Sequence, residues 1–347
     1  MKKKNYLYIF SLLTLLFVGF HFIVWNLITK PIFKNDVVGG LGRMSYLSKS
    51  FTSKKNEQNL KNKHTQYNDN EEIDVLTIGD SFSNGGGGGV NKYYQDYIAT
   101  IQNLKVMNIQ SNPEGFIETI LILNDNGILD KLSPKSIILQ SVERGAIQRY
   151  AKNVNWSVGL KNNSMSFLNE KSGHTKPTPL FINHLNFNWL LYKLLYKYDD
   201  NAIFSKAYTA TLTKSLFSSK DKDKLLFYMD DLKNLSKSND ESINLLNRNL
   251  NKLQKILSAK DIKLYFMPSV DKYNLYSKYI QNNQYPKSTF FETLRPLKKE
   301  YSFIDTKMIL EEMLDNNITD VYYSDDTHWS FKASEEIFNQ VELKYTK

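Results

Sequence analysis

The residue types in this sequence that could perform chemistry together lie in two short segments, one early and one late in the chain. Gly79-Asp80-Ser81 places a hydroxyl directly after an apolar run, and Asp325-Asp326-Thr327-His328 places an imidazole beside two carboxylates. A serine becomes a nucleophile when a base can accept its proton and a third group orients that base. We therefore predict that Ser81 attacks an acyl group, that His328 is the general base and that an aspartate orients the imidazole.

The element that must present Ser81 is a strand. Residues 73–78 are mostly apolar and β-branched, and the run stops in the turn that carries Ser81. Further strands are predicted at 104–109, 135–144, 262–267 and 301–305, with helices that include 241–259, 288–299 and 330–345. This alternation predicts an α/β fold with a central parallel sheet, whose ligands bind outside the carboxyl ends of the strands.

Chain position separates His328 from the other four histidines. His328 lies between a predicted strand and a predicted helix, with acids nearby. The others fall in an apolar N-terminal run, a polar segment and an irregular middle region: His21, His64, His174 and His184. Since no second histidine and no cysteine stands at ligand spacing from His328, we predict neither a dedicated zinc site nor another cofactor.

The early Gly-Asp-Ser and the late Asp-Asp-Thr-His together resemble the SGNH (GDSL) hydrolase superfamily. The string Asp326-Thr327-His328-Trp329 is similar, more narrowly, to the SGNH-like domains of alginate O-acetylation proteins and their relatives in cell-surface polysaccharide modification. The resemblance covers about residues 73–145 and 241–345 and implies a three-layer, flavodoxin-like sandwich. Asp325 fits the Asp-x-x-His spacing of ordinary members, whereas Asp326 fits the Asp-x-His-Trp spacing of the acetylation relatives; we favour Asp326.

The same resemblance implies which groups would hold an oxyanion. A glycine after the second strand donates its backbone N–H in that pattern, and Gly115 matches it, although capping a helix is an alternative use of this glycine. The asparagine of the usual Gly-x-Asn-Asp is missing here. A Val-Glu-Arg ending resembles the O-acetylation branch, so Arg144 could donate to the oxyanion, anchor an anionic sugar, or pair with Glu143. Asp80 and Lys272, the latter within Pro-x-x-Asp-Lys-Tyr, are expected beside the site.

The N-terminal segment is long and apolar enough to cross a bilayer. Residues 5–29 carry no formal charge, and Met1-Lys2-Lys3-Lys4 precedes them. We predict a transmembrane signal anchor at residues 1–30, with the rest of the chain outside the cytoplasm; a cleaved signal peptide is the alternative. The polar residues 31–72 are predicted to be a stalk or linker, and Gly39-Gly40-Leu41-Gly42 within it a flexible turn.

Two further segments depart from the alternation of strand and helix. Residues 145–240 are predicted to be an inserted, mainly helical region, including an amphipathic helix at 183–198. Five consecutive glycines, Gly85 to Gly89, follow Ser81 without the Gly-Lys-Ser/Thr ending of a nucleotide-binding loop. This run is either a mobile or closely approached backbone beside the nucleophile or a flexible loop without chemical consequence.

Composition excludes several classes of protein. The chain has 347 residues, of which 41% are hydrophobic, as in folded proteins. This length allows one sizeable α/β domain with an insertion, and the resemblance implies that residues 73–347 form it as an SGNH-like domain. Cysteine is absent, which excludes a disulfide framework and a thiolate metal site. The net charge of +9 comes from scattered lysines rather than from a dense basic helix, so no nucleic-acid partner is predicted.

Together these features predict a membrane-anchored, single-pass, extracytoplasmic serine esterase or O-acetyltransferase that modifies a cell-surface polysaccharide. If acetyl groups are transferred, a multi-span membrane acyltransferase would have to deliver them, because this chain has one predicted span. One alternative is an SGNH protein of the teichoic-acid D-alanylation type. Another is a catalytically inactive glycan-binding or assembly scaffold, which the missing asparagine favours.

Overall fold

A computed structural model describes residues 3–34, 38–51, 58–68, 71–158, 165–169 and 178–343. Within these ranges the strands are β1 (Thr65–Gln66), β2 (Val75–Ile78), β3 (Val106–Ile109), β4 (Ser136–Val142), β5 (Ala207–Thr211), β6 (Lys224–Tyr228), β7 (Lys263–Ser269) and β8 (Ser302–Phe303). Six of them form one parallel sheet in the order β1-β3-β2-β4-β7-β8, and β5 and β6 form a separate antiparallel hairpin.

Helices precede, connect and follow these strands. In chain order the α-helices are α1 (Lys3–Val24), α2 (Lys30–Lys34), α3 (Gly40–Ser45), α4 (Ser48–Phe51), α5 (Tyr94–Ile101), α6 (Phe116–Asp125), α7 (Ile128–Leu132), α8 (Glu143–Tyr150), α9 (Leu185–Leu195), α10 (Met229–Lys233), α11 (Asp240–Ser258), α12 (Lys272–Tyr276), α13 (Phe290–Leu294), α14 (Thr306–Asp315) and α15 (Phe331–Gln340). One π-helical turn, Trp25–Thr29, joins α1 to α2.

The path through the sheet reverses at β2. The chain moves from β2 to β3 through α5, and then from β3 to β4, on the other side of β2, through α6 and α7. Because such crossovers are right-handed, the two moves place their helices on opposite faces. Accordingly, α5 packs with α15 and α15 with α14, while α6 packs with α8 and α8 with α11. A crevice is therefore expected where the loops after β2 and β4 diverge.

The centre of the sheet is buried on both faces. All residues of β2 and β4 are buried, including Thr77 and Gln140. Helices on both faces leave such strands no solvated side, which explains why they are near-continuous apolar runs in the sequence. The α/β fold with a central parallel sheet is confirmed.

Predicted element boundaries agree best where periodicity is strongest. Helix α11 lies within one residue of the predicted 241–259, and Ser330 caps α15 by accepting a hydrogen bond from the Lys332 N–H. The predicted strand 135–144 was too long, because Glu143 and Arg144 begin α8. The predicted helix 288–299 is reduced to α13.

The N-terminal apolar run is a single long helical segment. Lys4–Lys34 is the one helix, among the described residues, that is long and apolar enough to cross a membrane, with a mean hydropathy of 2.3 over its most apolar window. Only 11% of that window is buried against the protein. By length and composition this helix is suited to a membrane anchor or to a signal sequence.

The prediction of a loose stalk at residues 31–72 needs correction for the part that the structure describes. Helices α3 and α4 pack against the hairpin, with Leu41, Phe51 and Leu226 in one buried cluster. Strand β1 extends the sheet by pairing with β3. Gly39 and Gly40 form the start of α3 rather than a flexible turn. Their N–H groups donate to the carboxylates of Asp325 and Asp326, which lie far away in the sequence.

The insertion predicted at 145–240 is less independent and less helical than expected. Its first residues belong to α8, whose Ala146 and Tyr150 lie in the main core. It also contains the β5–β6 hairpin, in which apolar side chains pack under α3 and α12. Helix α9 confirms the amphipathic helix predicted at 183–198. Residues 159–164 and 170–177, with His174, lie outside the described ranges.

Candidate active site

Ser81 stands in the tight turn that follows β2. Gly79 begins this turn, and a Cβ at that position would overlap Ser83 Oγ and approach Gln140 Cβ to 2.9 Å, so only glycine fits. The Asp80 N–H donates to Gln140 Oε1 at 3.0 Å and the Phe82 N–H donates to Asp80 Oδ1 at 3.1 Å. These bonds hold the turn so that the Ser81 side chain is exposed at the carboxyl end of the sheet.

A chain of hydrogen bonds connects Ser81 to a buried carboxylate. Ser81 Oγ lies 2.7 Å from His328 Nε2, and His328 Nδ1 lies 2.5 Å from Asp326 Oδ1. An ionised carboxylate only accepts, so Nδ1 carries the proton and Nε2 accepts from the serine hydroxyl. The predicted proximity of Ser81 and His328, 247 positions apart, is thus present. A nucleophile, a general base and an orienting acid need an arrangement of this kind.

The structure distinguishes the two candidate acids. Asp326 Oδ1 accepts from both the ring and the backbone N–H of His328, whereas its Oδ2 accepts from the Gly40 N–H at 2.8 Å. The Asp325 carboxylate instead accepts from the Gly39 N–H at 2.9 Å. Of the two, Asp326 is therefore the residue in contact with the imidazole, and the start of α3 holds both carboxylates.

The glycine run packs closely against the catalytic candidates. The Gly86 N–H donates to the Ser81 carbonyl at 2.7 Å. A Cβ on Gly86 would overlap His328 Nε2 and lie 2.7 Å from His328 Cε1. Gly85, Gly88 and Gly89 have positive φ angles of 73°, 66° and 83°, which suit glycine. Of the two interpretations of this run, close approach of the backbone is the one observed.

Asp80 lies beneath the turn and is paired with a residue that sequence reasoning missed. Its Oδ2 accepts from the Val142 N–H at 2.7 Å and from Arg149 Nη1 at 2.5 Å. Burial would raise the pKa of Asp80, but Arg149 and the backbone N–H groups of Val142 and Phe82 hold that pKa below its ordinary value. The Arg149 side chain remains 31% exposed. Nothing in the local sequence of α8 distinguishes Arg149 from an ordinary surface arginine.

Lys272 supports the segment that carries Asp326. Its ammonium is fully buried and donates to the carbonyls of Tyr323, Ser324 and Asp326 at 2.7, 2.9 and 3.0 Å. Burial lowers the pKa of Lys272 to about 7, although Asp325 and Asp326 nearby favour its charged form. Lys272 lies next to Asp326, and its three hydrogen bonds hold the backbone of that segment. Because the side chain is fully buried, it does not face an oxyanion or a substrate.

Arg144 does not occupy the oxyanion position that the sequence suggested. Its Nη1 donates to Asp271 Oδ1 at 2.5 Å and to Asp231 Oδ1 at 3.1 Å, and only 15% of the side chain is exposed. Pairing with Glu143 is not observed either: the Glu143 carboxylate accepts from Asn274 and from the Asp271 N–H. Arg144 is therefore engaged by two buried carboxyl groups, and the role predicted for it needs correction.

Gly115 is also engaged elsewhere. Its N–H donates to the Asn112 carbonyl at 3.0 Å, closing a tight turn with φ of 142° at the start of α6. That bond leaves the Gly115 N–H unavailable for an oxyanion, so the predicted role is corrected here too. By contrast, the Ser81 N–H has no hydrogen-bond partner among the described residues. It is one donor that an oxyanion on an acyl group bonded to Ser81 Oγ could use.

Aromatic rings pack against the imidazole of His328. The Phe82 ring lies 4.6 Å from the His328 ring and 4.8 Å from the Trp329 ring. Beside them is a small recess whose lining includes Asn91, Lys92 and Tyr323. Because the Ser81 side chain is exposed, a large acyl donor or acceptor could approach it. No group of three or more metal-ligating side chains occurs in the described part of the chain.

No protein-family model, curated protein or solved structure matches this chain. What the site can do therefore rests on its own geometry. A hydroxyl, an imidazole and a carboxylate bonded in series can perform nucleophilic acyl transfer, in which the serine is acylated and then deacylated by water or by another hydroxyl.

Proposed function

We propose that this protein is a membrane-anchored serine acyl-transfer enzyme of the SGNH type, an esterase or O-acetyltransferase acting outside the cytoplasm on a cell-surface polysaccharide. The observation that carries the proposal is the series of hydrogen bonds from Ser81 through His328 to Asp326. The long apolar N-terminal helix supports the membrane anchor.

In the first step, His328 Nε2 accepts the proton of Ser81 Oγ while that oxygen attacks the ester carbonyl. The Asp326 carboxylate stabilises the imidazolium that forms and keeps Nδ1 protonated. The Ser81 N–H donates to the oxyanion of the tetrahedral intermediate. His328 then gives its proton to the leaving alcohol, and an acyl ester on Ser81 remains.

In the second step, water or a sugar hydroxyl loses its proton to His328 and attacks the acyl-serine. The bond between the acyl carbon and Ser81 Oγ then breaks, and Ser81 Oγ takes the proton back from His328, which restores the free enzyme. Water gives net hydrolysis, whereas a sugar hydroxyl gives acetyl transfer. The exposed position of Ser81 supports a polymeric substrate. A polysaccharide can lie across an open surface, whereas it could not enter a deep pocket. For transfer, a multi-span membrane acyltransferase would act as the partner that supplies acetyl groups.

The first experiment is hydrolysis of a chromogenic acetyl ester by the full-length protein in lipid nanodiscs, compared with Ser81→Ala. Removing a nucleophile that acts within a triad should lower kcat by at least about 10³-fold. Acid quenching followed by peptide mass analysis should find acetyl on the peptide that contains Ser81. Equal rates for both proteins, with no acetylated Ser81, would refute the proposal and favour the scaffold alternative.

A second experiment separates the two acyl acceptors. In cells that express Ser81→Ala in place of the natural protein, the acetyl content of the surface polysaccharide should fall if the enzyme transfers acetyl groups. It should rise if the enzyme removes them. An unchanged acetyl content, with loss of D-alanine from a teichoic acid, would instead identify the D-alanylation alternative.

A further inference from the structure

Helix α9 carries an apolar face that the protein itself leaves uncovered. Phe187, Leu190, Leu191 and Leu194 are 47%, 50%, 41% and 52% exposed. Their spacing of three, one and three positions places all four on one side of the helix. On the other side Tyr192 is buried. A continuous stripe of large apolar side chains on a folded domain indicates an interaction surface.

This helix is bonded to the apolar N-terminal helix within its uncharged run. Asn186 is fully buried between the two helices; its Nδ2 donates to His21 Nδ1 at 2.6 Å and its Oδ1 accepts from Thr29 Oγ1 at 2.8 Å. The Phe187 ring stacks on the Phe20 ring with centroids 4.8 Å apart. The exposed stripe is therefore continuous with the exposed apolar surface of α1.

The depth of this contact follows from helix geometry. A span of about 20 residues crosses the hydrocarbon core, so an anchor that enters after Lys4 leaves it near Trp25. Phe20 lies five residues before Trp25, which is about 7.5 Å along the axis. Amphipathic helices at a bilayer surface bury their apolar face by about 5–10 Å. Phe187, in contact with Phe20, lies within that depth.

We infer that α9 lies in the outer interface of the same bilayer that α1 spans, with the stripe of Phe187, Leu190, Leu191 and Leu194 in contact with lipid acyl chains. The inference rests on the membrane anchor of the proposed function. Exposed Lys193 borders the stripe, with its ammonium 5.7 Å from the Trp189 ring, as suits the headgroup region. Lipid is favoured over a protein partner because the stripe continues the lipid-facing surface of α1.

The contact of α9 with the bilayer, added to the anchor α1, would hold the domain in one orientation at the membrane surface. Tyr192 of α9 shares a buried cluster with Ile32 of α2 and with Tyr46, which directly follows α3. Helix α3 in turn begins at the N–H groups that hold Asp325 and Asp326. The candidate active site is consequently held at a set height above the bilayer and serves substrates presented close to the membrane.

The absence of cysteine makes a direct test possible, because each label site needs one substitution. Nitroxide labels at Leu190→Cys and at Leu194→Cys are compared with one at Lys193→Cys on the same helix, in full-length protein reconstituted into vesicles of phosphatidylcholine and phosphatidylglycerol. The measurement is the relaxation of each label by oxygen, which partitions into lipid, and by a water-soluble nickel chelate. We expect severalfold higher oxygen-to-nickel ratios at Leu190 and Leu194 than at Lys193.

A fourth label at Leu15→Cys, 70% exposed on α1, separates the inference from the anchor. Lipid-like ratios at Leu15 with water-like ratios at Leu190 and Leu194 would overturn the membrane contact of α9 while leaving the anchor intact, and would assign the stripe to a protein partner. Water-like ratios at all four sites would overturn the anchor as well. All four side chains are exposed, so labelling should leave the fold intact, and circular dichroism of each labelled protein checks this independently of any enzymatic activity.

Discussion

Replacing Gly39 with alanine should displace Asp326, the carboxylate proposed to orient His328, without changing any reacting group. Gly39 packs on the backbone that carries Asp325 and Asp326, 286 positions away in sequence. A Cβ on Gly39 would overlap the Asp325 carbonyl oxygen and lie 2.6 Å from its carbon and 2.8 Å from Asp326 Cβ. Ordinary contacts begin at 3.4 Å, so α3 and this backbone must separate by about 1 Å to relieve the overlap with the carbonyl oxygen.

The size of the effect follows from that displacement. A shift of about 1 Å in a catalytic group can lower a rate by about 10²-fold, which corresponds to about 2.7 kcal/mol in the activation free energy. We therefore expect kcat for a chromogenic acetyl ester to fall by about 10²-fold in Gly39→Ala. KM should change little, because Gly39 lines no part of the recess beside His328.

Gly40→Ala is the matched control. A Cβ at Gly40 has no atom within 4 Å, and the backbone N–H that donates to Asp326 is retained. Its rate should equal that of the natural protein. Gly42→Ala should be intermediate, because its Cβ would lie 3.2 Å from Asp325 Cβ. The melting temperature of each variant shows whether it is folded. Equal rates for folded Gly39→Ala and Gly40→Ala would refute the role assigned to the start of α3.

Three further predictions test the site. Asp326→Asn should lower kcat for ester hydrolysis by about 10⁴-fold, because it favours the wrong tautomer of His328. Asp325→Asn should retain most of the rate. A larger loss of rate in Asp325→Asn than in Asp326→Asn would contradict the assignment. Gly86→Ala would place a Cβ 2.7 Å from His328 Cε1, so it should reduce the rate of ester hydrolysis by about 10²-fold. Circular dichroism should show that this variant is folded. An unchanged rate would count against the close approach of the Gly86 backbone to His328. Burial lowers the pKa of Lys272 from 10.5 to about 7, so the unfolded chain binds more protons between these values and the free energy of unfolding should rise with pH across that window. In Lys272→Met this contribution is lost. The free energy of unfolding of both proteins is measured by denaturant titration at pH 7 to 9, and an equal dependence on pH would show that Lys272 is not the cause.

Elements governed by local contacts were predictable from the sequence. The strand before Ser81 is an apolar run ended by a glycine turn, and α11 is a long amphipathic helix whose leucines repeat at helical spacing. The N-cap at Ser330 likewise involves residues only two positions apart. In each case the interaction that stabilises the element lies within a few residues of it, so the local pattern contains the information.

Side chains whose partners lie far away in sequence were not predictable in the same way. Arg144 follows a strand in a pattern that suggested an oxyanion donor, but the acids that pair with it, Asp231 and Asp271, are 87 and 127 positions away. Arg149 had no local signal at all, because its partner Asp80 lies in another loop. A charged side chain inside a protein binds whichever counter-charge the fold brings to it.

The sequence by itself determined the chemical types of the groups, the strand and turn that present Ser81, and the apolar N-terminal helix. Only the tertiary structure decided that Asp326 rather than Asp325 contacts His328, and that residues 38–51 pack beside them instead of forming a stalk. The physical reason is the range of the interactions: helix and strand formation depend on neighbours in the chain. Hydrogen bonds at the site join segments that become neighbours only when the sheet and its connecting loops are assembled.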